Sequence, residues 1–142
     1  MEYGRLLRQH RAELTLNGLL DVESLASGSP IIDLYDRWKQ GLTIRPGDFV
    51  VEPDTDDPMN WIIPNHRDRW APKWSHRLRD YPVKIHGVNC ALEYKYCLDT
   101  GNPVCHSIEQ SFEGAERHYT RLLLPYNGKI VYAFRSLLPV WQ

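Results

Sequence analysis

Tyr119-Thr120-Arg121-Leu122-Leu123-Leu124-Pro125-Tyr126-Asn127-Gly128-Lys129-Ile130-Val131-Tyr132-Ala133-Phe134 is the stretch whose reading decides the fold. Two β-rich runs flank Asn127-Gly128, a dipeptide that suits both left-handed positions of a type I′ turn, whose twist matches the strands it joins. A two-residue loop there pairs Tyr126 with Lys129, Leu124 with Val131, Leu122 with Ala133 and Thr120 with Arg135. Leu122, Leu124, Val131 and Ala133 then share one face of the ribbon. Tyr119, Leu123, Tyr132 and Phe134 share the other, with Arg121 among them. Both faces are apolar, so both must lie under something. One closes the domain core; the other requires a helix or a second subunit, and residues 1–40 are expected to supply it, within the chain or across a homodimer.

Working outward, Val104 to Ser111 reads as a third strand of the same sheet. Before it, Ala91 to Leu98 is bounded by Asn89, a capping residue, and by the turn Asp99-Thr100-Gly101-Asn102-Pro103, which favours a helix. The alternation of Leu92, Tyr94, Tyr96 and Leu98 also suits a strand. Further upstream, Ile31, Ile32, Leu34, Tyr35 and Trp38 fall on one helical face. Ser29 can cap that helix, Pro30 fits its first position and Gly41 can end it. Asp57-Pro58 predicts a short helix through Ile63, stopped by Pro64. From Asn65 to Pro82 the prolines break any long element, and Leu6 to Leu20 is a weaker helical segment, diluted by Thr15 and Asn17.

The 142 residues amount to one domain. Seventeen Lys and Arg against eighteen Asp and Glu leave a net charge of −1, so the basic field that nucleic-acid binding needs is missing. No apolar run approaches the roughly 20 residues that span a bilayer. The N-terminal stretch lacks the continuous apolar core of a signal peptide, so no membrane insertion and a cytoplasmic location are expected. Cys90, Cys97 and Cys105 are odd in number and without Cys-x-x-Cys spacing, which predicts reduced, buried packing residues.

The stretch Leu92 to Val104, through Asp99-Thr100-Gly101-Asn102-Pro103, resembles the last helix of a PAS domain turning into the third strand, and Tyr119 to Phe134 resembles the closing hairpin. The phrase Tyr-x-Arg-Leu-Leu-Leu-Pro-x-x-x-Gly-x-Ile-Val-x-Ala-Phe is similar to that of small, free-standing bacterial PAS-like proteins. Leu34-Tyr35-Asp36-Arg37-Trp38 and Trp61-Ile62-Ile63-Pro64 compare with their earlier part. The resemblance implies an α+β fold, a five-stranded antiparallel sheet with helices on one face, over residues 29–142, after an N-terminal helical extension at residues 1–28. It also implies a non-enzymatic sensor that acts in signalling through a small-molecule ligand, a signalling protein partner, or both. The flavin-type Asn-Cys-Arg-Phe loop is missing, since Asn89-Cys90 runs on into Ala91-Leu92, so flavin is not expected.

The remaining chemistry is sparse. His66, His76 and His86 are ten residues apart, with no local pair of the kind zinc sites use. Haem needs one axial histidine and an apolar pocket, for which His86 and His106 are the candidates, but it is not the favoured reading. Nucleophile-elbow, phosphate-loop and dinucleotide motifs are missing. Glu52, Asp54, Asp56 and Asp57 read as a solvated acidic loop, and Cys105-His106 point to opposite faces of a strand and so cannot pair. Trp61, Trp70 and Trp74, interleaved with Arg67, Arg69 and Arg77, form either a binding wall or an irregular segment anchored on the core. The candidate ligand-binding set is therefore Trp61, Trp70, Trp74, His86, Tyr94, His106, Leu122, Leu124, Val131 and Ala133. Tyr119, Leu123, Tyr132 and Phe134 form the expected dimer or helix-packing face. Two other readings stand beside the sensor: a cone-shaped α+β enzyme with a polar His/Asp pocket, and an interaction module without a pocket.

Overall fold

A computed structural model describes residues 30–67, 73–112 and 114–136. Its elements in order are helix α1 (Pro30–Lys39), strand β1 (Phe49–Val51), two single 3-10 turns (Pro58–Asn60 and Leu78–Asp80), helix α2 (Lys84–Thr100) and strands β2 (Val104–Phe112), β3 (Ala115–Tyr126) and β4 (Lys129–Ser136). The sheet has the order β1-β4-β3-β2, and every neighbouring pair is antiparallel. The expected N-terminal extension, residues 1–28 with its Leu6–Leu20 helix, lies outside the described residues.

The closing hairpin takes the register that its turn dictates. Asn127 and Gly128 both have positive φ, 48° and 75°, and Tyr126, Leu124, Leu122 and Thr120 pair with Lys129, Val131, Ala133 and Arg135. Alternation along β3 and β4 then divides the apolar side chains into two buried clusters, one on each side of the sheet. On one side Leu122, Leu124 and Val131 pack with Cys105 and with Ile31 and Leu34 of α1. On the other, Leu123, Ile130 and Tyr132 pack with Val88, Ala91, Tyr94 and Cys97 of α2.

Helices cover both faces of the sheet, as its two apolar faces require, and α1, within residues 1–40, supplies one cover; it lies over Leu122, Leu124 and Val131 and not over the Tyr119, Tyr132 and Phe134 face. Among the described residues the sheet has four strands. Where a further strand was expected, Ile62 makes only isolated bridges to Glu52 and Arg77. Pro58 and Pro64 bracket this stretch and remove the N–H donors that a continuing ladder requires.

Each helix has a clear local cause. Helix α1 begins at Pro30 and closes at Gly41, whose φ is 85° and whose N–H reaches the Trp38 carbonyl at 3.2 Å. It is tied to the body by Arg37, which donates to both carboxylate oxygens of Asp48 at 3.0 and 2.8 Å, and by the Trp38 indole N–H to the Pro125 carbonyl at 3.0 Å. Helix α2 starts seven residues before the expected Ala91. Asn89 lies inside it rather than capping it, and Pro82, just before the N-cap Val83, is what bars an earlier start. It runs through Thr100, two residues past the expected Leu98, and ends at Gly101, in the left-handed conformation with its N–H on the Cys97 carbonyl. Asp57 accepts from the Met59 N–H at 3.0 Å, but the turn it starts ends at Asn60 instead of Ile63.

Candidate functional site

Helix α2 and the inner face of β3 and β4 do not close completely. Between them lies a cavity of about 140 Å³, partly open to solvent. Its apolar wall is built from Ile63, Trp74, Leu78, Tyr94, Tyr132 and Phe134. Among the described residues its polar groups are His66, Arg67, Tyr81, His86, Cys90, Arg117, Tyr119 and Arg121, with no carboxylate in that set.

The site grows from one buried ion pair. Arg121 points inward from β3 between Tyr119 and Leu123, and in the sheet it lies opposite His106 of β2. Glu93 of α2 comes down onto both. One carboxylate oxygen accepts from Arg121 Nη2 and the other meets His106 Nδ1. An ionised carboxylate only accepts, so Nδ1 of His106 carries the proton. Glu93 and Arg121 are almost entirely buried, at 1% and 4% exposure. Burial works against the Arg121 charge, but at neutral pH the Glu93 carboxylate beside it outweighs that and holds the guanidinium protonated. Arg121 Nη1 also donates to Cys90 Sγ at 3.1 Å, and the guanidinium lies 5.3 Å from the centre of the Tyr94 ring. Its Nε is buried and makes no hydrogen bond.

Around this pair the side chains form a second, looser network. Cys90 Sγ and the Tyr119 hydroxyl both lie 3.4 Å from His86 Nε2. Arg117 donates to the Tyr81 hydroxyl at 2.8 Å, and the Tyr132 hydroxyl pairs with His66 Nδ1 at 2.7 Å. Burial pushes up the Cys90 thiol, against the pull of Arg121, and likewise the phenols of Tyr94 and Tyr119, so all three stay protonated at neutral pH.

The structure redistributes the sequence-derived candidates. Trp74, His86 and Tyr94 line the cavity. So do Tyr119, Tyr132 and Phe134, which were assigned to a packing face; Leu123 lies beside them in the core under α2. Leu122, Leu124, Val131 and Ala133 pack under α1 instead, away from the cavity. The two faces divide as the register predicts and the ring-bearing one packs under a helix, α2; the cavity lies on this side because the large rings hold α2 off, while the smaller side chains close tightly against α1. Trp61 is a core residue anchored by its indole N–H on the Thr55 carbonyl at 2.7 Å, and Trp70 lies outside the described residues. His106 supports Glu93 rather than lining the cavity. The acidic loop behaves as a loop, with Asp54 paired to Arg77 and Asp57 to Arg79.

Sequence reasoning missed Arg121, Glu93, Cys90, His66, Tyr81 and Arg117 as members of the site. A signal for Glu93 was present, since it stands three residues after Cys90 and four before Cys97, on the stripe that α2 buries.

A cavity of about 140 Å³ is well below the roughly 300–1,000 Å³ of pockets for drug-sized ligands, so it does not take a porphyrin as it stands. Among the described residues no group of three or more His, Cys, Asp or Glu is placed to hold a metal, and no helix is long and apolar enough to cross a membrane. Comparisons with family models, curated proteins and solved structures return no match, so the chemistry of the site has to be argued from its own geometry.

Proposed function

We propose that this chain is a PAS-like sensory module of the cytosol that binds a small, flat, oxygen-bearing organic ligand between α2 and the sheet and passes its state to a protein partner. The observation that carries this reading is the guanidinium of Arg121. It lines an aromatic-walled cavity, and its Nε–H is buried with no acceptor. A buried unmade hydrogen bond costs about 1–3 kcal/mol, and a ligand oxygen that opens the wall around the shielded Nε recovers it. The space matches a compound of about six heavy atoms, since a cavity of about 150 Å³ admits benzene. Because Glu93 already compensates the Arg121 charge, a neutral carbonyl acceptor fits better than a second anion.

The enzyme reading predicts a deep polar pocket with a strongly perturbed carboxylate or histidine. Among the described residues the buried carboxylate beside the cavity, Glu93, is held by Arg121 and His106 behind the wall, which favours the ligand reading. The order of elements supports the PAS-like assignment in outline: a strand, a connection of short turns, one long helix, then three antiparallel strands.

Cyclopentanone and cyclopentane, which differ by the carbonyl oxygen, test the proposal by NMR titration. Cyclopentanone is expected to saturate with shifts concentrated at Trp74, Tyr94 and Phe134, and cyclopentane to bind at least tenfold more weakly. Phe134→Trp, which thickens the wall, is expected to weaken both. The reading fails if neither compound gives saturable shifts at those residues.

A further inference from the structure

We infer that Cys90 is a covalent attachment site for small α,β-unsaturated carbonyl compounds, with Arg121 holding the carbonyl oxygen and His86 relaying the proton. This deepens the ligand reading above and rests on it.

The three cysteines occupy different surroundings. Cys97 packs in the core under α2 and Cys105 under α1, and burial pushes their thiols up to about 12 and about 11. Neither touches the cavity. Cys90 lines it, with Sγ 3.1 Å from Arg121 Nη1 and 3.4 Å from His86 Nε2, one helical turn earlier on α2. His86 Nε2 faces two protonated groups, the Cys90 thiol and the Tyr119 phenol. In the tautomer with its proton on Nδ1, Nε2 holds the lone pair and is placed to accept a proton. The unused donor on Arg121 Nε, shielded while the cavity is empty, supplies the second half of the site once a ligand opens the wall around the guanidinium. A carbonyl oxygen there puts an enone across the same guanidinium that contacts the sulfur.

The addition balances without any further reactant. His86 Nε2 takes the thiol proton as Sγ forms a bond to the β-carbon, and the π pair of the C=C bond moves to give an enolate whose oxygen is held by Arg121. The proton then returns from His86 to the α-carbon. The thiol has added across the double bond, with nothing oxidised, reduced or released. With the cavity empty, burial keeps the thiol protonated, so reaction is coupled to occupation.

Cyclopent-2-enone has the shape of cyclopentanone and is electrophilic, so the two compounds separate binding from bonding. Native protein incubated with cyclopent-2-enone is expected to gain one adduct by intact mass, mapped to Cys90 by peptide analysis. Unfolded protein should react at all three cysteines. Excess cyclopentanone should slow the native reaction, Cys90→Ser or Cys90→Ala should abolish it, and His86→Gln should slow it about a hundredfold. If cyclopentanone binds but no adduct forms, or if Cys97 or Cys105 reacts as fast as Cys90, the covalent inference is overturned and the ligand reading stands. If neither compound engages the cavity, both fall. Adduct formation at an unchanged rate in His86→Gln removes the proton relay.

Discussion

Glu93 of α2 and Arg121 of β3 form an ion pair whose side chains are 2% and 4% exposed, and it is the one charged link between the long helix and the centre of the sheet among the described residues. A pair buried this deeply is costly to break from one side, because the surviving charge is left in the core. Glu93→Gln is expected to lower the unfolding free energy by about 3–5 kcal/mol, measured by urea denaturation at neutral pH. Replacing both partners with apolar residues of similar volume, Glu93→Leu with Arg121→Met, should recover most of the loss while abolishing cyclopentanone binding. A single substitution costing under about 1 kcal/mol would show that the pair does not hold the two layers together.

The approach of α2 to the turn at Leu78–Asp80 sets the floor of the cavity, and Gly87 makes it possible. A Cβ at Gly87 would sit 2.9 Å from the Leu78 carbonyl oxygen, a backbone atom that cannot swing aside. Alanine gains about 1 kcal/mol of helix propensity over glycine, against an overpacking cost of about 1–3 kcal/mol. The clash should win. Gly87→Ala is expected to be less stable by up to about 2 kcal/mol in chemical denaturation, and a raised midpoint would mean that α2 shifts without cost.

The two sheet faces should separate stability from binding. Leu124 is fully buried under α1, on the far side of the sheet from the cavity. Leu124→Ala removes packing only, with an expected loss of about 2–5 kcal/mol and an unchanged dissociation constant for cyclopentanone. If the affinity fell with the stability, the cavity would depend on packing under α1 and the two faces could not be treated as independent.

The hairpin could be read from the sequence because two local signals agree there: the period-two alternation on either side and the left-handed demand of Asn127-Gly128. Those signals fix register, and therefore which side chains share a face, but they say nothing of which helix arrives on which face. That choice depends on volume. Tyr119, Tyr132 and Phe134 fill their side unevenly, whereas Leu122, Leu124, Val131 and Ala133 close flat against α1. An inward Arg121 between Tyr119 and Leu123 demands a buried acid, and Glu93 alone stands on the buried stripe of α2; the two positions lie 28 residues apart and neither is unusual by itself. The later start of the predicted helix hid Cys90 and His86 as helical neighbours.

The link between α1 and the loop before β1 makes a pH prediction. Arg37 holds the Asp48 carboxyl below the usual 3.8 through a two-pronged hydrogen bond, against the opposing effect of partial burial and with help from the Arg45 N–H. A carboxyl with a depressed folded-state pKa stabilises the protein in full above its unfolded value and loses that contribution as the pH falls through the folded one. Both side chains are mostly shielded, at 15% and 13% exposure, so the pair should be worth about 1–2 kcal/mol, more than an open surface bridge. Asp48→Asn is expected to be less stable by that amount near neutral pH. The gap to the wild type should stay flat down to about pH 4 and close below it, as Asp48 is protonated in the wild type. Urea titrations of both proteins across that range measure the gap directly, and one that persists unchanged into strong acid would place the effect of the substitution outside the Arg37 contact.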